Sequence, residues 1–568
     1  MRRRLIALCL MVSLIMPPLA PRAAAPTEDA LARMILAQMT LAQKVGQLIV
    51  IRTWGQAVSA PELALLSAIQ PGGIVLLKEN IADSRADGPE RLITLTNGLQ
   101  AWATTNASRV PLLIMTDQEG RKIQRLRAGF TPLPNPLAIG AITDLAAVTL
   151  FGQQMGREMA EVGVNMALAP VLDLTDQPNH PIMGGRVMGS HPAQVGQVGR
   201  AMIDGLRRSA VIGVAKHYPG HGRVADTHLG PATLSGSRAE IEARDIAPFK
   251  AANAPVIMLG HMNVPALDPS GLPASLSPAI IADLRTWYDG VIMTDALDMG
   301  AILAVEKQPA IAAIKAGVDL LLLGANTPPS RQIRAAKAVL QAVERGEIPV
   351  SRIEEAALRV LRLKATYGLL DGWHPLPTLY SRYGLQAAAT RSLDVMRAVY
   401  GAAFTVIKNA GGLLPLRAGQ KVGLVYPNGY SMLRGVCGGA ARAAYADGFD
   451  VRPLPVNPSP VAYQRGQAAK LAGEVDVIVV FTQNADQDDS QVSLVRALPP
   501  EKTVVVALDS IYDLRRFPAV AAYALIYDYT DPAFYAACDG LFGQVPASGR
   551  LPMPIGPAYP VGTGLRVP

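Results

Sequence analysis

Eight short apolar runs rich in Val, Ile and Leu recur through the first two thirds of the chain and restrict its possible folds more than any other feature. They occupy residues 45–51, 73–77, 111–116, 165–172, 211–215, 255–260, 290–294 and 318–323. A strand written as a continuous apolar run is buried on both faces, which requires helices on both sides of a parallel sheet. Helical periodicity at 146–162, 192–209, 239–253 and 309–316 supplies such helices between the runs. Eight strand–helix repeats within about 300 residues predict an α/β fold, a (β/α)8 TIM-like barrel; a doubly wound open sheet is the alternative.

The ends of these runs carry titratable residues. The third ends in Asp117, the fourth in Asp173, the fifth in Lys216-His217, the sixth in His261 and the seventh in Asp295. In a barrel, the mouth at the carboxyl ends of the strands is where catalytic groups gather. Asp295 there suits a nucleophile, a general base or a metal ligand. Asp298, three residues on, is the better candidate for a helix N-cap.

The flanking segments suggest an exported chain of two domains. Arg2-Arg3-Arg4, an apolar stretch from Leu5 to Met16 and the small residues Ala23-Ala24-Ala25 have the layout of a secretory signal peptide, residues 1–25. Removing it lowers the formal charge from +8 to +4 by the loss of Arg2, Arg3, Arg4 and Arg22. With no Lys/Arg-rich run, no nucleic-acid partner is expected, and no stable membrane span remains once the signal is gone. The barrel is expected over 26–371, ending in a helix at 352–367. Gly372-Trp373-His374-Pro375-Leu376-Pro377 opens a linker at 372–388, and a second α/β sandwich domain follows at 389–568. Its helix is expected at 386–400, and its strands at 404–408, 422–426, 475–482, 503–508 and 522–527. No glycine-rich phosphate-binding pattern sits at a strand end in this region. Cys437 and Cys538 either pair or remain buried thiols.

Six of the seven histidines lie between His180 and His261. Three fall in Lys216-His217-Tyr218-Pro219-Gly220-His221-Gly222 and Asp226-Thr227-His228, where proline and glycine predict a shaped loop at a strand end. Asp226, two residues from His228, can fix the imidazole tautomer and raise the basicity of the free nitrogen. The same pair also reads as an ordinary polar loop. His217 and His221 have the spacing of a helical metal pair, but Pro219-Gly220 removes the helix, and the first run has no His-x-His. Metal-dependent hydrolysis is therefore disfavoured. Lys216 and Arg186 suit hydroxyl or carboxylate recognition, or surface salt bridges.

Together these motifs resemble glycoside hydrolase family 3, in its β-N-acetylhexosaminidase branch. The resemblance rests on Asp117-Gln118-Glu119-Gly120, the Lys216–Gly222 segment with Asp226-Thr227-His228, Pro273-Ala274-Ser275-Leu276-Ser277 and Thr294-Asp295-Ala296-Leu297-Asp298-Met299. In the second domain it includes Ile407-Lys408-Asn409 with Leu414-Pro415-Leu416, and Leu541-Phe542-Gly543 with Ser548-Gly549-Arg550-Leu551-Pro552. It implies that Asp295 is a nucleophile and His228 an acid/base paired with Asp226. It also implies that Asp117, Arg125, Arg186, Lys216 and His217 hold sugar hydroxyls, with no cofactor. The implied activity is that of an exported, periplasmic or secreted, retaining exo-β-N-acetylhexosaminidase acting on N-acetylglucosamine-containing glycans or muropeptides. A β-N-acetylglucosaminide phosphorylase and a catalytically weak carbohydrate-binding protein are the alternatives. Oligomeric state has no signature. Three departures from the family pattern stand out: Arg121 replaces a second glycine, Arg186-Val187-Met188-Gly189-Ser190-His191-Pro192 lacks an aromatic and an acid, and the 222–226 loop is one residue short.

Overall fold

The computed structural model describes residues 27–81, 87–105, 108–177, 180–377, 382–444 and 450–568; the expected signal peptide lies outside them. Eight parallel strands form the first sheet: β1 Ile49–Arg52, β2 Gly73–Val75, β3 Leu113–Thr116, β4 Met166–Ala167, β5 Ile212–Tyr218, β6 Val256–Leu259, β7 Val291–Thr294 and β8 Leu321–Leu322. From β1 to β7 each pairs with the next in sequence, and β8 pairs back with β1 through Ile49↔Leu321 and Val50↔Leu322. A parallel bridge, Met293↔Leu320, links β7 to β8 and leaves the barrel nearly closed.

Alternation along each strand sorts the side chains. Leu113, Met115, Ile212, Val214, Val256, Met258, Val291 and Met293 fill the barrel interior, where Val360, Leu363 and Tyr367 at the end of helix Val350–Thr366 join them. Ile114, Ala215, Ile257 and Ile292 point outward into the layer shared with the surrounding helices. The expected helices are present as Leu145–Glu161, Pro192–Arg208 and Pro309–Ala316.

Four details differ from the sequence reading. Residues expected to open the first strand form helix Leu41–Gln47, because Thr40 and Gln43 make a reciprocal capping box ahead of it. Strand β5 continues through Lys216 and His217 to Tyr218, so both side chains belong to the barrel wall, not to the loop. The helical stretch expected at 239–253 is broken by a π-helical turn, Glu242–Ile246. Helix Arg382–Ala403 begins inside the stretch read as a linker.

The second sheet has six strands: β9 Thr405–Asn409, β10 Lys421–Pro427, β11 Asp450–Val456, β12 Val477–Thr482, β13 Thr503–Ala507 and β14 Ala522–Leu525. Its order is β9-β14-β13-β12-β10-β11, parallel except for the β9–β14 pair. Strand β11 is not among the expected strands, because Pro453 and Pro455 interrupt it. Both prolines fall on the same side of an edge strand, the one place where a missing N–H leaves no ladder bond unmade. Cys437 and Cys538 are joined by a disulfide with their Cα atoms 4.9 Å apart. Among the described residues, no helix is long and apolar enough to cross a membrane.

Candidate active site

A cavity of about 500 Å³ opens at the carboxyl ends of the barrel strands, and all eight side chains singled out from the sequence line it: Asp117, Arg125, Arg186, Lys216, His217, Asp226, His228 and Asp295. Seven of them fall into three groups, and Asp295 stands apart.

The first is a buried charge cluster. The Lys216 ammonium, projecting from β5, lies 2.8 Å from Asp117 Oδ1 and 2.8 Å from Glu119 Oε1. Arg186 grips Glu119 through Nε–H···Oε2 and Nη2–H···Oε1, both 2.7 Å. Arg125 lies 3.6 Å from Asp117. Burial pushes the Glu119 carboxyl up, but the Lys216 and Arg186 charges and their hydrogen bonds outweigh it and hold the pKa at about 2. Burial opposes the charged form of Lys216, yet the adjacent carboxylates raise its pKa.

The second group orients His217. Buried Asp173 accepts from the His217 backbone N–H (3.2 Å), from His221 N–H (2.6 Å) and, at 2.6 Å, pairs with His217 Nδ1. Burial raises the Asp173 pKa, but the His217 ring and these hydrogen bonds lower it below its usual value. An ionised carboxylate accepts only, so it takes Nδ1–H and leaves Nε2 of His217 for the cavity.

The third group pairs a carboxylate with an imidazole. Asp226 Oδ1 lies 2.7 Å from His228 Nδ1 and accepts the His228 backbone N–H at 2.9 Å. Burial pushes Asp226 up, while the His228 contacts pull its pKa below the usual value, which favours the carboxylate. His228 itself is exposed, with its side chain 61% accessible. The loop is docked on the segment after β7: Gly300 N–H donates to His228 O (3.1 Å) and Ala301 N–H to Thr227 O (3.1 Å). A Cβ on Gly300 would stand 2.6 Å from His228 O, so the approach needs glycine there.

Asp295 follows β7 directly. Its Oδ1 accepts Ala296 N–H at 2.7 Å. Burial raises its pKa, but His217, His261, this N–H and Lys216 lower it to about 2. Asp298 is not a helix N-cap: its carboxylate accepts Asn326 N–H (2.6 Å) and the Thr327 hydroxyl (3.3 Å), tying the loop after β7 to the loop after β8.

The barrel mouth thus holds a charged cavity with an Asp–His pair and a separate ionised aspartate. Residues 40–363 match the family model described as the glycosyl hydrolase family 3 N terminal domain. This chain belongs to glycosyl hydrolase family 3. It is 31% identical to a β-hexosaminidase A from Pseudoalteromonas piscicida over 65% of its own length and 64% of that protein's. It is 33% identical to a β-hexosaminidase from Alkalilimnicola ehrlichii, over 57% and 90% respectively. A family 3 β-N-acetylglucosaminidase from a Paenibacillus species superposes with a TM-score of 0.71 at 28% identity, covering 91% of this chain and 99% of that one. A β-N-acetylhexosaminidase from Beutenbergia cavernae matches at 30% identity and a TM-score of 0.52, covering 57% of this chain and 98% of its own.

Four residues of this family 3 site escaped selection from sequence. Glu119 joins Lys216 to Arg186, and Asp173 fixes His217. His261 Nε2–H donates to Ala296 O at 2.9 Å, while its Nδ1 accepts from the Ser275 hydroxyl at 2.8 Å. His261 thus links Ser275 to the Ala296 backbone, whose N–H donates to Asp295. Each carried a signal: Asp173 and His261 end apolar runs, and Glu119 and Ser275 lie inside recognised motifs.

Proposed function

We propose that the chain is an exported, retaining exo-β-N-acetylhexosaminidase that removes terminal non-reducing N-acetylglucosamine from cell-wall or chitin-type glycans. The observation that carries this reading is the Asp226–His228 pair opening on the same cavity as Asp295. Asp295, ionised at working pH, attacks the anomeric carbon. His228, protonated on Nε2, gives that proton to the leaving oxygen, and a glycosyl ester forms on Asp295. A water then loses a proton to His228 and attacks the anomeric carbon, freeing Asp295. Asp226 stabilises the imidazolium and fixes its tautomer. Asp117, Arg125, Arg186, Lys216 and His217 hold the sugar's hydroxyls. Most retaining glycosidases use two carboxyl groups; an imidazole acid/base avoids a second negative charge beside Asp295.

The names of the hexosaminidase relatives support the sugar class. The N-terminal pattern and the Cys437–Cys538 disulfide support export, because disulfides persist in oxidising compartments. The boundaries belonging to this reading are 1–25 for the signal, 26–371 for the barrel and 389–568 for the second domain. The test is turnover of chromogenic N-acetylglucosaminides and glucosides, chitin oligomers and muropeptides, with and without phosphate. N-acetylglucosaminide cleavage unchanged by phosphate is expected. Formation of N-acetylglucosaminyl phosphate, or no turnover at all, would contradict the proposal.

A further inference from the structure

Arg121 stands where the family pattern has a second glycine, and its guanidinium does not point into the sugar cavity. It caps the short hairpin Gln118–Gly120/Ile123–Gln124 that follows β3. From there it crosses to the second domain, where Nη1–H donates to Asp528 Oδ1 at 3.0 Å. Its guanidinium carbon also lies 3.3 Å from the centre of the Tyr529 ring. Asp528 is fully buried just beyond the carboxyl end of β14. It also accepts Asn135 N–H (2.9 Å), the Tyr400 hydroxyl (2.7 Å) and Tyr529 N–H (2.7 Å). One carboxylate thus gathers the hairpin tip, the segment beneath it and two elements of the second domain.

The hairpin is held closely on that segment. Arg121 N–H donates to Pro134 O at 3.2 Å, and Gly120, with φ +152°, has Pro134 O and Pro136 where a Cβ would stand. The facing loop is tied down as well: Ser190 N–H donates to Pro552 O at 3.0 Å, and Lys122 Nζ reaches Gly184 O at 2.6 Å. These two loops carry Glu119 and Arg186, the bidentate pair that also fixes Lys216.

We infer that Asp528 of the second domain, acting through Arg121, is a positioning residue for the sugar-binding corner formed by Glu119, Arg186 and Lys216. This rests on reading the cavity as an N-acetylglucosamine site. The Beutenbergia cavernae β-N-acetylhexosaminidase is matched over 98% of its length by only 57% of this chain, so a barrel-sized protein stands among the structural relatives. In this chain the Arg121–Asp528 ion pair and the Arg121–Tyr529 ring contact, together with the Asn135–Asp528 and Ser190–Pro552 hydrogen bonds, couple the second domain to the sugar corner.

The test compares Arg121→Gly, Asp528→Asn and the double variant with the parent. Four quantities are measured: kcat and KM on a chromogenic N-acetylglucosaminide, calorimetric affinity for free N-acetylglucosamine, thermal midpoint, and amide exchange over residues 118–126. Each single change is expected to raise KM and weaken sugar affinity about tenfold, with kcat within about twofold, and the double to be no worse than either. Exchange over 118–126 should quicken. A folded Arg121→Gly protein with parental KM, sugar affinity and exchange would overturn the inference. So would a loss confined to kcat, or fully additive singles. If Asp528→Asn does not fold, Arg121→Gly decides alone, since its side chain is at the surface edge. A parent that cleaves no N-acetylglucosaminide refutes the proposed function, whereas the exchange readout still judges the coupling.

Discussion

Asp295 and the histidines around it form one electrostatic unit, and the pH at which that unit fails is predictable. Its pKa of about 2 keeps the aspartate ionised through mild acid, so protonation of Asp295 is not expected to limit activity between about pH 4 and 6. His221 behaves differently. Burial first, and then the neighbouring His217, push its pKa down to about 4, and Nε2 lies 2.9 Å from the Thr227 hydroxyl. In the unfolded chain an imidazole titrates near 6.5, so acidification protonates the unfolded chain first. The neutral His221 therefore contributes stability that is fully present above about pH 6.5 and is lost as pH falls through about 4. The thermal midpoint should decline across that window, and more shallowly in His221→Gln. Parallel slopes in variant and parent would rule His221 out as the cause. Asp295, Asp226 and His228 were legible as motifs because each lies at a strand end or two residues from its partner. The role of Glu119 was not legible although it lies in a motif, because that role depends on Arg186, 67 residues away in sequence, and no periodicity relates the two.

The loop from Gly222 to His228 is short, yet it is held on three sides. Arg223 donates to Asp245 Oδ2 at 2.6 Å and to Glu240 Oε1 at 3.0 Å, and Asp245 sits in the π-helical turn. His180 Nε2 lies 3.1 Å from Val224 O, while its Nδ1 accepts Met183 N–H at 3.0 Å. Because Nδ1 accepts, Nε2 carries the proton and donates. The third anchor is the Gly300–Ala301 contact. Arg223→Ala should loosen the acid/base more than the sugar corner, lowering kcat about tenfold with KM within about twofold. A rise in KM alone would show that the anchor serves binding instead. Seven of the eight barrel strands were recognisable because continuous apolar runs alternating with helical stretches leave little choice. The first was only partly so, since a capping box can turn the opening of an apolar run into a helix. Strand β11 was hidden because edge pairing tolerates the prolines that argue against a strand.

Across the whole molecule, the barrel supplies every cavity-lining residue discussed, and the second domain supplies restraint. The Cys437–Cys538 bridge spans 101 residues and joins helix Met432–Ala444 to helix Asp531–Leu541. Closing a loop of about 100 residues stabilises by about 4.7 kcal/mol in the chain-entropy model, an upper value for engineered bridges. Reduction, or Cys437→Ser with Cys538→Ser, should lower the thermal midpoint of the second domain while the barrel retains sugar affinity; an unchanged midpoint would show that the bridge contributes nothing. The two-domain architecture followed from strand–helix alternation alone, whereas the coupling between domains through Arg121 and Asp528 lay beyond any local pattern. The central claim remains that Asp295 forms a glycosyl ester while His228 moves the proton. It is tested most directly by trapping the enzyme with a slowly released fluorinated N-acetylglucosaminide and mapping the added mass by peptide mass spectrometry. The account predicts one sugar on Asp295 in the parent and none in Asp295→Asn; a sugar on another side chain, or turnover by Asp295→Asn at the parental rate, would contradict it.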